Sequence, residues 1–528
     1  VALLLAAVLV TAPAHAAPPA SLRLDAGVAE PVDGLAAGAR AAFDLAAATG
    51  DYVRGEIAVT AGRFDLDLVG PGGHHVRRLA SDLDAPGGFQ FIVAEAPVRL
   101  VVTARTGGGG ATLSVAAKVA PAAQKAPTAQ FVSPAIAALA THVAAGGSTD
   151  AFWQERARQG TPLVEPGPPG MAVVTFVARG ARRNVRLLGA PSGDHEWMDR
   201  LGESDTWFRS FLVPEDTRLS YKLAPDVPDL PGTPREQRMA ILATAQADPL
   251  NPAPWPTLAP DPFNQESTLE LPRAPAQPGL DDRGAPKGTL AEFRLRSARL
   301  GNARTITLYT PAGFDPADQR NVLLLVFDAR AYLTKVPTPT ILDNLIANRR
   351  LPPMIAAFIS EVDPRTRAHE LPGNPAFADF MAEQVLPLVG EKTGTRIPAS
   401  RTILAGSSFG GLAAATIALR HPDRFGNAIA LSGSFWWHPD DAPADAPEHV
   451  ADLVARSPRK AVRFHLTAGM FEAGHTGTAG ILDTSRHLRD VLRAKDYDVS
   501  YREYAGGHDY LVWRGALADA LLALVPRL

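Results

Sequence analysis

TILAGSSFGGLAAATIALR, residues 402–420, is an apolar run that breaks once, at Gly406-Ser407-Ser408-Phe409-Gly410, and resumes as a good helix former. A buried strand, a tight turn between small residues and a helix, in that order, make a nucleophile elbow: the glycines let the chain turn sharply, and one serine is held out over a sheet at a helix N-terminus. Ser408 is that serine, and Ser407 is expected to point away. The pentapeptide alone carries little, because serine and glycine are common. Its flanks carry the reading.

Outward from the elbow, apolar runs alternate with helical stretches: VLLLVFDA (322–329) and MIAAFIS (354–360) before it, AIALSGS (428–434), FHLTAG (464–469) and VSYREYAGG (499–507) after it. Strands buried on both faces read as continuous apolar runs, and their alternation with helices predicts a mostly parallel sheet with helices on both faces. EFRLRSARLG (292–301) and ARTITLYTP (303–311) read as an antiparallel pair at its start. Residues 288–528 are thus expected to form an α/β-hydrolase domain.

An elbow serine needs a base and an acid. His508 stands between the last apolar strand and the final helix, completing the chain order serine, acid, histidine, and its glycine flanks allow a loop close to the serine. The acid should follow FHLTAG, where Glu472 is the first carboxylate and Asp483 the alternative; Asp509 abuts the histidine and is expected to diverge. The acid would fix the imidazole tautomer and stabilise the imidazolium. The oxyanion hole is expected from the backbone N–H of Phe409 and one N–H after VLLLVFD, at Ala329 or Arg330. His195-Glu196-Trp197-Met198-Asp199 and His369-Glu370-Leu371-Pro372-Gly373 both lack the second histidine of a zincin helix, and no phosphate loop or dinucleotide fingerprint occurs. No metal or other cofactor is expected.

Upstream, the period changes. AAFDL (41–45), YVRGEIAV (52–59), FDLDLVG (64–70), FQFIVA (89–94), VRLVVTA (98–104) and TLSVAAKV (112–119) alternate apolar with polar and are separated by glycine-rich turns, which predicts a β-sandwich over 20–118. It resembles the prepeptidase C-terminal type; His74-His75 reads as a solvated turn. An Ala/Pro linker (119–132) leads to a helix from Pro134 to Val143 and a second near Asp150, with Asp150 as its cap and Glu155 and Arg158 spaced to pair. MAVVTFVARG (171–180), VRLLG (185–189), TWFRSFLV (206–213) and SYKLAP (220–225) then predict a second β-sandwich within 130–260, and a Pro-rich linker spans 272–287.

The 528 residues suit about three domains at ~150 residues each. A formal net charge of −3 offers no basic footprint for nucleic acid and no polybasic membrane patch. Zero cysteines exclude a thiol nucleophile and a thiolate metal site. Val1 to Val10 (VALLLAAVLV) followed by Ala14-His15-Ala16 reads as a signal-peptide core and cleavage site within 1–16, predicting a periplasmic or secreted protein. Ten apolar residues are too few for a bilayer core that needs ~20, so no stable membrane insertion is expected.

A narrower resemblance rests on four strings. Arg365-Thr366-Arg367-Ala368-His369-Glu370-Leu371-Pro372-Gly373-Asn374 resembles the RxHEL-type signature of enterochelin esterases. Gly433-Ser434-Phe435-Trp436-Trp437 and Gly506-Gly507-His508-Asp509 with Trp513-Arg514-Gly515 are similar to that family too, and Asp248-Pro249-Leu250-Asn251-Pro252 resembles the end of its N-terminal immunoglobulin-like domain. The resemblance runs from about residue 150 onward. It implies hydrolysis of ester bonds in a tri-lactone catecholate siderophore such as ferric enterobactin, with Ser408, Glu472 and His508 as triad. An anionic, aromatic-rich substrate suits Arg367, Arg514, Trp436 and Trp437 as contacts; alternatively, Arg367 pairs with Glu370 and the tryptophans cap the sheet. Two departures stand out: Asp328-Ala329 where the family tends to have Asp-Gly, which would burden alanine with a positive φ, and a long glycine-rich loop at 473–480. Two rival functions fit the same chain, a broad exported esterase or acyl transferase of the esterase-D type and a binding protein with a vestigial hydrolase domain.

Overall fold

The computed structural model describes residues 22–124, 131–192, 195–443, 447–474 and 478–525. The signal-peptide segment, the middle of the first linker and part of the loop 473–480 lie outside the described residues. The chain divides into two compact units, Val1–Gln130 and Phe131–Leu528.

The first unit is a sandwich of two sheets. One has the order Leu22–Leu24, Arg40–Leu45, Val98–Ala104, Phe64–Val69, His75–Leu83; the other Ala29–Leu35, Gly109–Val119, Tyr52–Ala61, Gly87–Ile92. Inward residues such as Phe43, Phe64, Leu100 and Leu113 form its core. Three strands were not expected, Leu22–Leu24, Ala29–Leu35 and His75–Leu83. Ala29–Leu35 buries only Val32, and His75–Leu83 buries no residue, so neither shows the alternation that betrays a half-buried strand. The His74-His75 turn is corrected accordingly: His75 opens a strand, with its ring 3.0 Å from the Asp67 carboxylate.

The second unit begins with the helices Pro134–Ala144 and Asp150–Gln159. Ser133 caps the first by accepting from the Ile136 N–H. Asp150 is not the cap of the second: Thr149 holds that position, and Asp150 instead pairs with Arg179 at 2.6 Å. Glu155 accepts from Gln159 rather than pairing with Arg158. Both helices pack through Ile136, Leu139 and Trp153 against Val177 and Leu201 of a second sandwich. Its sheets run Leu163–Pro166, Met171–Arg179, Thr206–Pro214, Asp199–Arg200 and Glu196–Trp197, Val185–Leu188, Arg218–Pro225, Glu266–Glu270, Pro254–Trp255. The strand Glu266–Glu270 carries this sheet past the expected end at 260.

The C-terminal part is one eight-stranded sheet, in the order Thr289–Ser297, Asn302–Thr310, Met354–Ile359, Val322–Phe327, Thr402–Ser407, Asn427–Leu431, Arg463–Gly469, Val499–Tyr504. Thr289–Ser297 and Asn302–Thr310 pair antiparallel, and the six later strands are parallel. Every residue of the four inner strands from Met354–Ile359 to Asn427–Leu431 is buried. Helices cover one face through Leu412, Val450 and Leu488 and the other through Ile341, Leu517 and Leu521. This is the expected α/β-hydrolase architecture, preceded by two β-sandwich domains.

Candidate active site

Ser408 sits between the strand Thr402–Ser407 and the helix Phe409–Arg420 at φ 57°, ψ −123°, a conformation that L-residues keep only when their surroundings enforce it. The Ser408 N–H donates to Leu431 O at 3.0 Å, and the Ser434 N–H donates to Ser408 O at 3.1 Å. A Cβ on Gly406 would lie 2.6 Å from the backbone of Gly410, so the first glycine of the pentapeptide is required where strand and helix touch. Ser408 is partly exposed while Ser407 is wholly buried. The Ser408 Oγ lies 3.3 Å from the Ser434 Oγ.

His508 and Glu472 come together from the ends of the two outermost parallel strands. The Glu472 Oε1 accepts from His508 Nδ1 at 2.6 Å, and its Oε2 accepts from Ser432 Oγ at 2.7 Å and the Gly469 N–H at 2.6 Å. A carboxylate is acceptor-only, so Nδ1 carries the proton and Nε2 is left as the base. Trp513 stands edge-on to the imidazole, 4.8 Å between centroids, and donates its Nε1–H to Ser432 Oγ at 3.0 Å. Ser432 and Trp513 therefore brace the pair, and the sequence reading assigned neither to the site. Trp513 lies five residues after His508, in the string Trp513-Arg514-Gly515 that resembles the family, and these are the signals that could have found it.

Asp483 does another job. Its carboxylate accepts the N–H groups of Gly474 and Gly480 at the start of the helix Ile481–Ala494, where a negative charge is favoured. Asp509 diverges as expected, capping the helix Tyr510–Leu524 by accepting from the Leu511 N–H at 2.8 Å. Phe409 and Ala329 are each the first residue of a helix, so neither N–H has a partner within its own helix. The positive φ after the first core strand falls on Asp328 (58°), and Ala329 is spared it. Alanine in place of glycine is therefore no burden there.

Arg367 pairs with Asp328, not Glu370, through two bonds of 2.5 and 2.7 Å. Burial works against its charge, but Asp328 outweighs this and holds the guanidinium above its ordinary value. Glu370 is taken by Arg304 in a buried pair at 2.7 and 2.8 Å. The Arg367 guanidinium also lies 5.9 Å from the Phe409 ring, whose other neighbour, 6.1 Å away, is the exposed Trp436. Trp437 turns inward, edge-on to His449 and against Gly373. Arg514 bonds Gln277 at 2.7 Å and lies 5.6 Å from the Trp255 ring; Lys335 is 5.3 Å from the same ring. Burial, and then the Arg218 charge, lowers Arg514 from its ordinary value. Arg367 and Trp436 thus flank the elbow, while Trp437 and Arg514 are engaged elsewhere.

The family model described as "Putative esterase" matches residues 297–524, and that described as "Enterochelin esterase, N-terminal" matches 173–280. The iron(III) enterobactin esterase of Dickeya dadantii is 31% identical over 407 residues, covering 70% of this chain and 91% of that protein. The iron(III) salmochelin esterase of Escherichia coli O6:H1 is 30% identical over 413 residues, covering 73% and 97%. The crystal structure of ferric enterobactin esterase from Salmonella typhimurium superimposes with a TM-score of 0.60 at 29% identity, covering 72% of this chain and 99% of that one. On this sequence and structural evidence the chain belongs to the enterochelin esterase family and is an ester hydrolase.

Proposed function

We propose that the protein hydrolyses the ester bonds of a ferric catecholate siderophore of the enterobactin type. The observation that carries this reading is the relationship to esterases named for iron(III) enterobactin and salmochelin, which extends over nearly the whole of those proteins. Site chemistry supports it: flat faces at Phe409 and Trp436 lie beside Ser408, with the guanidinium of Arg367, paired to Asp328, next to the Phe409 ring, a suitable setting for a substrate built of aromatic rings.

The Ser408 Oγ attacks the ester carbonyl carbon as His508 Nε2 takes its proton. The carbonyl oxygen becomes the oxyanion, received by the N–H groups of Phe409 and Ala329. Glu472 holds the Nδ1–H and stabilises the imidazolium. Collapse expels the alkoxide, which takes the proton from His508 and leaves as the alcohol while the acyl group stays on Ser408. Water, deprotonated by His508, then attacks the acyl-enzyme and releases the acid with Ser408 restored. Iron enters with the substrate and takes no part in these steps.

The reading includes export, on the strength of the apolar run at 1–10 and the Ala14-His15-Ala16 site. Cell fractionation with N-terminal sequencing tests it: a periplasmic or secreted protein beginning at Ala17 is expected, and an unprocessed cytoplasmic one refutes it. The substrate is tested by comparing ferric enterobactin with p-nitrophenyl esters. Turnover of the aryl esters with none of the lactone would replace the siderophore reading with a broad esterase.

A further inference from the structure

We propose that the β-sandwich of residues 163–270 positions the Glu472–His508 pair, with Phe471 and Asp509, the immediate neighbours of the acid and the base, as its positioning residues. The proposal rests on ester hydrolysis through Ser408 and not on which ester is cleaved.

On the acid side, the strand Arg463–Gly469 ends in a tight turn through Met470 and Phe471, closed by the Gly469 N–H donating to Glu472. Phe471 does not turn back into the hydrolase core. It packs against the cluster between the two sandwich sheets, which contains Val174, Phe176, Trp207 and Tyr221. Its N–H donates to Gly506 O at 3.0 Å, so the acid turn is also tied to the loop that carries the base.

On the base side, the sandwich strand Arg218–Pro225 runs beside residues 505–509. The Arg218 N–H donates to Ala505 O at 2.9 Å. Gly506 approaches Arg218 O so closely that a Cβ would lie 2.8 Å from it. Asp509 uses one oxygen to cap the final helix, and its other accepts from the Ser220 N–H. The Ser220 hydroxyl in turn donates to Glu266 at 2.9 Å, and Glu266 pairs with Lys335 at 3.1 Å. Contacts at 505, 506 and 509 bracket His508, whose side chain is still 42% exposed.

The need for such a brace follows from topology. Val499–Tyr504 is the last strand of the sheet, with a strand on one side only, so the loop after it lacks the neighbour that supports loops further in. The sandwich strand supplies that neighbour. Misplacing a catalytic group by about 1 Å costs roughly 100-fold in rate, so a brace on this loop should act on turnover more than on substrate affinity.

The test uses the full chain and p-nitrophenyl acetate, with Ser408→Ala as the blank. Asp509→Asn keeps a good helix cap but presents an amide N–H to the Ser220 N–H. Phe471→Ala withdraws the anchor, Phe471→Leu restores most of it, and Ile136→Ala loosens the separate cluster on which the first two helices pack, which does not include Phe471. Expected are kcat losses of about 100-fold in Asp509→Asn and Phe471→Ala with KM little changed, recovery in Phe471→Leu, and wild-type kcat in Ile136→Ala despite a lower melting temperature. Wild-type kcat in folded Asp509→Asn and Phe471→Ala, or kcat falling with melting temperature across all four variants, overturns the proposal. Because the probe is a simple aryl ester, this result is independent of whether ferric enterobactin is cleaved.

Discussion

Glu472 makes three hydrogen bonds from a side chain only 4% exposed, to His508, Ser432 and the Gly469 N–H. Its negative charge is what fixes the histidine tautomer. Glu472→Gln keeps the shape and loses that control, and kcat should fall by about 10⁴ while the melting temperature changes little; aryl-ester kinetics with a thermal melt check both. Ser432→Ala strips the Trp513 Nε1–H and one Glu472 oxygen of a partner, and should cost about 1–3 kcal/mol in urea unfolding. Ser408 and His508 were legible because an elbow and the station before the last helix are local patterns. The choice between Glu472 and Asp483 was not legible: both follow the same strand, and only the folded turn shows that one faces the imidazole and the other caps a helix. Ser432 and the Asp328–Arg367 pair escaped because their partners lie about 40 to 80 residues away in sequence, Ser432 with Glu472 and Trp513 and Arg367 with Asp328, or because a strand-end conformation leaves no local signature.

Among elements, the inner hydrolase strands were legible, each beginning within one residue of the apolar run that marked it and ending within three residues of that run's end, because a strand buried on both faces can hardly be anything but apolar. Polar strands such as His75–Leu83 were invisible for the opposite reason. The helix Phe409–Arg420 is stapled to the helix Pro375–Phe380 by Asp379, which receives bonds from Arg420 and His421 and pairs with Arg299. The Arg420 bond above all lowers the Asp379 carboxyl from 3.8 to about 2. A depressed folded-state pKa contributes stability that is complete above the unfolded value and is lost as pH falls through the folded one. The staple should therefore weaken between pH 3.8 and about 2. Asp379→Asn should cost about 1 kcal/mol at neutral pH, allowing for solvent screening of the half-exposed arginines, and should flatten that part of the stability curve. Urea unfolding of both proteins at pH 7 and pH 3 measures it. Removing the charge of Arg367, which leaves buried Asp328 unpaired, should be more severe, up to about 3 kcal/mol for Arg367→Met.

At the scale of the whole molecule, every residue assigned to the reaction lies in the unit Phe131–Leu528. A chain beginning at Phe131 should keep the kcat/KM of the full protein on an aryl ester, whereas one beginning at Thr289 should lose turnover, because Phe471, Ala505 and Asp509 would lose the sandwich that holds them. The β-rich first part and the α/β second part of the chain could be read from composition and period. The sandwich's grip on the triad loops could not, since its partners lie far back in the chain: Ser220 is 289 residues before the Asp509 carboxylate it donates to, and Phe471 packs against residues 174–221. The central claim, Ser408 chemistry on a ferric catecholate lactone, is tested most directly by incubating purified protein and its Ser408→Ala variant with ferric enterobactin and separating linear trimer, dimer and monomer by chromatography. The account predicts all three from the wild type and none from the variant; intact lactone with the wild type, or equal cleavage by both, would contradict it.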